Sequence, residues 1–267
     1  MTVIRTYIVL LCMCLTFVQI HAQENLDLKG TACVPVMAVT EDALAFKAGE
    51  KMDFVLHYKW GAINTDVGYA TAELDSLTYN GKKAFLCSAY GKTTKMFDLF
   101  FKVREDFKSW FTRDGLRPLK FSRDTYEGGY EARNIYYYNW DAAEPYIAAD
   151  VYSSKRGMKS LPLSLTPCTF DLPALFYFAR NMDFDAVQPG KRYPMTFAID
   201  DDVYNVYFIL HGRETLKIKG LGTVRTIKFA AKLLEGEVFK GEEDMLIWVS
   251  DDANRLPVYF EAPLIVG

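Results

Sequence analysis

Met52-Asp-Phe-Val-Leu-His-Tyr-Lys-Trp60 places Met52, Phe54, Leu56, Tyr58 and Trp60 on one face of an extended ribbon. A period of two is the pattern of a half-buried strand. The same reading extends downstream. Val67 to Leu77 and Lys83 to Tyr90 alternate likewise and are joined through Asn80-Gly81, a pair that tolerates the positive φ of a tight hairpin turn. Phe107 to Thr112, Leu116 to Arg123, Tyr130 to Trp140 and Tyr146 to Ser153 continue as strands divided by turn residues. Lys95 to Val103 breaks the pattern. There Met96, Phe97, Leu99, Phe100 and Val103 recur at spacings of three and four, which predicts a short helical turn packed on the sheet.

The strongest helix signal is Asp171 to Asn181, with Thr169 or Asp171 as cap and Pro173 in the first turn, where its missing N–H costs little. A second strand series follows Pro189-Gly190: Arg192 to Ile199, Val203 to Leu210, Thr215 to Lys219, Gly222 to Leu233, Met245 to Ser250 and Leu256 to Val266. Many short strands with too few helices for parallel crossovers predict a mainly β fold. The expected architecture is a strongly curved antiparallel sheet, a partly closed barrel or a roll, with one or two short helices. Residues 49–267 read as a single β-rich domain, with two possible halves meeting near the helix at 171–181, preceded by an N-terminal arm over 23–48. The apolar pattern is still running at Gly267, which leads us to expect a further strand beyond it.

Working back toward the start, Arg5 precedes an apolar run from Thr6 to Ile20 and then His21-Ala22-Gln23. One positive charge, a short apolar stretch and a small residue before the cut form an export signal, expected to be cleaved after Ala22. The run is shorter than a bilayer span, so no transmembrane segment is expected in the mature chain. Cys12 and Cys14 follow Leu11 and Met13 rather than small residues, so a lipoprotein is not expected. Removing residues 1–22 from the 267 leaves 245, with 30 Lys and Arg against 34 Asp and Glu. A mildly acidic chain lacks the cationic surface from which nucleic-acid affinity derives. In an oxidising compartment Cys33 and Cys168, both in Pro-flanked loop sequence, are candidates for a disulfide, while Cys87 sits in a strand pattern as a small buried hydrophobe.

Gly49-Glu50 before the first strand, the aromatic-rich Lys95 to Asp106, Cys168-Thr-Phe-Asp171 leading the helix, and Ile247-Trp-Val-Ser-Asp-Asp-Ala-Asn-Arg-Leu-Pro-Val258 together resemble the domain of unknown function 3108 family of exported bacterial proteins. The most specific element is the hairpin carrying Trp248, Asp251, Asp252 and Pro257. The resemblance implies a periplasmic or surface β protein. It carries no activity, and the family pattern runs about a strand past Gly267. A curved sheet wrapped on a helix is also similar to the periplasmic lipoprotein carriers, an analogy of fold alone.

Motifs with defined chemistry are missing. Only His57 and His211 remain after cleavage, too few for a three-histidine zinc site, and no Cys-x-x-Cys, His-Glu-x-x-His or Gly-x-Ser-x-Gly occurs. Gly91-Lys92-Thr93 ends like a phosphate loop, but the glycine required five residues earlier is Leu86. No cofactor or metal is expected. Asp200 to Asp202 and Asp251-Asp252 lack the alternating spacing that wraps calcium and read as turn residues, with Arg255 a possible partner. What stands out is an aromatic content of 15%, including Tyr136 to Trp140. Aromatics favour strands and fill cores, but they also line concave binding surfaces.

The leading expectation is therefore a non-enzymatic envelope module binding an amphipathic lipid or glycolipid, with Trp60, Tyr136, Tyr138 and Trp140 as candidate ligand-contacting residues. One alternative is an assembly protein whose strand edges engage an envelope protein partner. Another is a glycan-active enzyme using a carboxylate pair drawn from Asp106, Glu127, Glu131 or Asp251.

Overall fold

The computed structural model describes residues 3–6, 41–60, 63–218, 220–231 and 245–261. Within them the alternating segments form two sheets. The first runs in sequence order: β1 (Val3–Thr6), β2 (Lys51–Trp60), β3 (Ile63–Tyr79), β4 (Lys82–Thr93), β5 (Val103–Thr112), β6 (Pro118–Glu127), β7 (Tyr130–Asn139), β8 (Tyr146–Ser153) and β9 (Gly157–Ser164). The second comprises β10 (Thr169–Phe170), β11 (Arg192–Ile199), β12 (Asp202–Ile218), β13 (Gly222–Ala231), β14 (Met245–Ser250) and β15 (Pro257–Glu261). A single α-helix among the described residues, α1 (Leu172–Ala179), connects them. All pairings are antiparallel except β1 with β2 and β10 with β11. The architecture is mainly β, two curved sheets that do not close fully.

Local chemistry accounts for the turns. Asn80 and Gly81 have φ of 48° and 78°, the two left-handed residues of a hairpin turn whose twist matches its strands. The β11–β12 turn holds Asp200 at φ 50°, a conformation Asp tolerates better than most residues. Asp171 caps α1: its Oδ1 accepts from the Ala174 N–H at 3.0 Å.

α1 lies inside the curve, against β4 and β5. Ala174, Tyr177 and Phe178 are buried in one continuous core with residues from both sheets, including Phe85, Phe111, Phe121, Phe208 and Phe229. The end of the helix is fastened by Arg180, whose side chain is 1% exposed. Its guanidinium donates to both Glu50 oxygens at 2.5 and 2.9 Å, to the Ala45 carbonyl at 3.0 Å and to the Asn254 carbonyl at 2.9 Å. It also lies 5.5 Å from the ring centres of Phe46 and Tyr177.

Several expectations are corrected. Lys95 to Val103 contains one turn of 3-10 helix, Phe97–Leu99, and Met96, Leu99 and Phe100 face solvent instead of the sheet, while Val103 is buried at the start of β5. The two strands expected over Val203 to Leu210 and from Thr215 onward are one, β12, ending at Ile218 and bent by a bulge between Leu210 and Gly212; Lys219 lies outside the described residues. β9 and β10 were not expected. β9 is almost entirely exposed, so its sequence lacks alternation, and it tolerates Pro162 because it ends the order of the first sheet. Cys168 is disulfide-bonded and Cys87 is a free, buried thiol; Cys33 lies outside the described residues.

Replacing Arg180 by Ala leaves Glu50 and two carbonyls without their donor. Breaking a buried pair from one side costs about 3–5 kcal/mol. The expected result is a matching fall in the urea midpoint at unchanged slope, measured by circular dichroism.

Candidate functional site

Strand register decides what fills the interior. On the inner face, Phe54 of β2 pairs with Ala70 of β3, Ala70 with Gly91 of β4, and Gly91 with Glu105 of β5. The next inward row is Met52, Ala72, Ala89 and Phe107. Four small residues therefore meet on adjacent strands, where no side chain is long enough to reach α1. The space left is a partly open cavity of about 150 Å³ with almost wholly apolar walls. Phe54, Phe107 and the four small residues line one side; Leu172, Pro173 and Phe176 of α1 face them, and Met245 and Phe260 reach in from β14 and β15. An apolar cavity of this size is large enough to hold a benzene ring.

Farther along the same rows the interior becomes charged. Glu105 continues into Thr125, while Phe107 continues into Arg123 and Asn134 on β6 and β7. Arg123 Nε donates to Thr125 Oγ1 at 2.7 Å, and Thr125 Oγ1 donates to Glu105 Oε2 at 2.6 Å. Asp200 enters from the second sheet's β11–β12 turn. Its carboxylate accepts from Arg123 Nη1 at 2.9 Å and its carbonyl from the Tyr136 hydroxyl at 2.6 Å. Beside it, Asp201 accepts from Arg156 and Lys159 at 3.0 and 2.7 Å. The aspartate run is thus a clamp between the sheets as well as a turn.

Glu105 and Glu127 are both buried here, and each has an oxygen, Oε1, that receives no donor. Burial pushes both carboxyls up, opposed by the Arg123 charge. The two carboxyls also interact directly, with Glu105 as donor: the contact raises Glu105 and lowers Glu127. They are carboxylates that the fold brings together; both are buried and share the Arg123 charge, and Glu105 borders the apolar cavity. Among the described residues no cluster of three or more His, Cys, Asp or Glu side chains is placed to hold a metal ion.

The chain matches a family described as "Protein of unknown function (DUF3108)" over residues 53–267. It belongs to that family. No curated protein matches it. Among solved structures it is similar to a "Beta-barrel-like Protein of Domain of Unknown Function DUF1849 from Brucella abortus", at 13% identity over 78% of this chain and 87% of that chain, with a TM-score of 0.46.

Three of the four segments that carried the resemblance to the DUF3108 family reach the ends of α1; the Lys95 to Asp106 segment lies elsewhere, in the β4–β5 loop and the start of β5. Asp171 caps the start of the helix, and Glu50 and the hairpin residue Asn254 bind Arg180 just past its end. In the same hairpin Asp252 Oδ1 accepts from Ser250 Oγ and from the Asn254 and Arg255 N–H groups. Asp251 accepts from Arg213 and Arg255 at 3.3 Å, Trp248 donates to Glu214, and Pro257 opens β15. These are structural roles.

Of the aromatic candidates, Tyr136 is wholly buried among Asp200, Asn134 and Phe121, and the Tyr138 hydroxyl donates to Asp171 Oδ2 at 3.2 Å. Trp140 stacks on Tyr138 at 6.4 Å and donates to the Pro118 carbonyl at 2.6 Å. None of these three lines the cavity. The Trp60 side chain lies outside the described residues. What sequence reasoning missed were Ala70, Ala72, Ala89 and Gly91, residues without chemical signal of their own; only alternation carried through the correct register finds them.

Asp171 is likewise pushed from 3.8 to about 7 by burial, against the bond from the Ala174 N–H. A carboxyl whose pKa rises on folding contributes stability in full below its unfolded value, and that stability is lost as pH climbs through the folded value. The melting temperature should therefore fall between about pH 4 and pH 8. Each kcal/mol lost lowers it by about 2–4 °C in a chain of this size. Glu127→Gln should flatten the decline when calorimetry is run across that range; an unchanged slope would mean the pair is already ionised.

Proposed function

We propose that the protein is an exported, non-enzymatic binding module of the cell envelope that holds the apolar part of a lipid or glycolipid in the cavity between β2–β5, α1 and β14–β15. The observation that carries this reading is the cavity itself. A barrel interior that is otherwise packed with Phe and Tyr is left open where small residues meet in register, and its walls are apolar. The volume accommodates the end of a chain or one ring, so the remainder of the ligand would lie along the opening. Export rests on the Arg5 to Ala22 signal. β1 falls within that signal and lies between β2 and β15, so processing would remove it and uncover both edges beside the cavity. Those bare edges are also what favours the second reading, an assembly role in which a partner strand pairs with β2 or β15.

Gly91 tests the binding reading directly. A Cβ there meets only the Glu105 side chain, Cβ at 3.6 Å and Cγ at 4.0 Å, so the position accepts a side chain whose outer atoms fill the cavity. Gly91→Leu should weaken uptake of a fluorescent apolar probe by at least tenfold, since each methylene of burial is worth about 0.8 kcal/mol. Equal uptake by the variant, or none by the parent protein, would sink the proposal. Expression with the native N-terminus followed by Edman sequencing should give a mature chain starting at Gln23; retention of Met1 would count against export.

A further inference from the structure

The loop between β4 and β5 presents large apolar side chains to solvent. Met96, Leu99 and Phe100 are 59%, 82% and 81% exposed. Isolated exposed apolar residues are ordinary, but three on one short loop form a patch that marks an interaction surface.

The loop is held in this outward form. The Asp98 carboxylate is gripped by Arg104 Nη1 and Nη2 at 2.9 and 2.6 Å, and the Thr93 hydroxyl donates to it at 2.5 Å. The bonds from Arg104 and then Thr93 hold Asp98 down at about 2, so it stays ionised and paired. Backbone N–H groups of Phe100 and Phe101 both donate to the Phe97 carbonyl, and Gly128 N–H donates to the Lys102 carbonyl at 2.9 Å. The Phe101 ring occupies the place where a Cβ on Gly128 would stand, which wedges the loop against the β6–β7 turn. Phe101, itself 36% exposed, is held at the β6–β7 turn, and Leu99 and Phe100 project beyond it.

The exposed, unneutralised charge around the tip is mainly cationic, with Asp66 beside the loop's start paired to His57. Asp98 is the acid of the loop and is neutralised at its base by Arg104, whereas Lys92, Lys95 and Lys102 are exposed. Nearby Glu105 and Glu127 are buried, and Asp106 lies farther down β5 with Lys108 at 3.9 Å. Tyr69 and Tyr90, 47% and 44% exposed, flank the lysines; Tyr69 is the register partner of Lys92. An apolar tip, a cationic collar and amphipathic tyrosines behind it match a lipid–water interface layer by layer.

We propose that residues 94–102 form a membrane-docking tip, which seats Met96, Leu99 and Phe100 among the acyl chains of an anionic lipid surface while Lys92, Lys95 and Lys102 meet its headgroups. Gly91, which lines the cavity, lies two residues before β4 ends, so docking would bring the cavity rim to the surface. The tip itself does not depend on the cavity holding a ligand.

Co-sedimentation of the purified protein with vesicles tests this. It should bind vesicles of phosphatidylcholine mixed with phosphatidylglycerol, and bind phosphatidylcholine alone far less. Leu99→Ser with Phe100→Ser should reduce binding at least about tenfold through lost apolar burial. Replacing the three lysines by Ala should reduce it on the order of a hundredfold. All these positions are exposed, so unchanged melting curves are expected and certify the fold. Phe100→Trp gives a second readout, a blue-shifted emission on vesicle addition after subtraction of the parent protein's signal. Gly91→Leu should bind vesicles like the parent, which separates failure of the cavity from failure of the tip. The proposal is overturned if the parent ignores anionic vesicles, if the Leu99 and Phe100 double variant binds as well as the parent, or if these residues capture a protein while vesicles stay unbound.

Discussion

Arg180 joins three segments that are far apart in the chain. Its guanidinium meets the Ala45 carbonyl ahead of the first hairpin, the Glu50 carboxylate at the entry to β2, and the Asn254 carbonyl in the β14–β15 turn, all from the end of α1. A charge so fully removed from water survives only when every donor direction is used, and the planar fork of arginine suits a carboxylate and two carbonyls better than a lysine would. With Asp171 capping the other end, the helix is fixed at both termini inside the curve of the sheets. The rest of the interior is arranged around that position.

Two different interiors result. Toward β5–β8 the rows beneath and beside the helix are filled by Phe111, Phe121, Tyr136 and Tyr177, and the polar row is closed by Asp200. Toward β2–β4 the same rows carry alanine and glycine, and a cavity is left between them and Leu172, Pro173 and Phe176 of the helix. The carboxyl pair of Glu105 and Glu127 lies at the junction. Its effect is on stability: burial disfavours the ionised form of both acids, so raising the pH works against the fold there.

At the rim the logic reverses. Leu99 and Phe100 are excluded from the interior because Phe101 and the Asp98–Arg104 pair lock the loop outward. On the proposed reading, a surface tip and an apolar cavity a few residues apart form a path from a lipid surface into the sheet. The two features draw on opposite uses of hydrophobicity, one left exposed for a partner and one withheld from packing.

The order of most strands, the Asn80-Gly81 turn and the cap at Asp171 are local consequences of alternation, φ preference and side-chain hydrogen bonding, and they were legible in the chain. So was the family, through Glu50, the Asp171 region and the Trp248 to Pro257 hairpin. The direction of a face was not. Helical spacing over Met96 to Val103 is the same whether the apolar side points inward or out, and only the Phe101–Gly128 contact decides it. Tyr136 and Tyr138 were correctly placed on an inner face, yet an inner face is a core or a cavity according to what stands opposite, and Asp200 and Asp171 stand opposite them. By itself the sequence determined the period of each segment and the residues able to turn or cap it, since those depend on neighbours in the chain. Only the tertiary structure decided where space remains, because a void is set by register between strands and by the distance to a helix fixed more than a hundred residues from its partner Glu50.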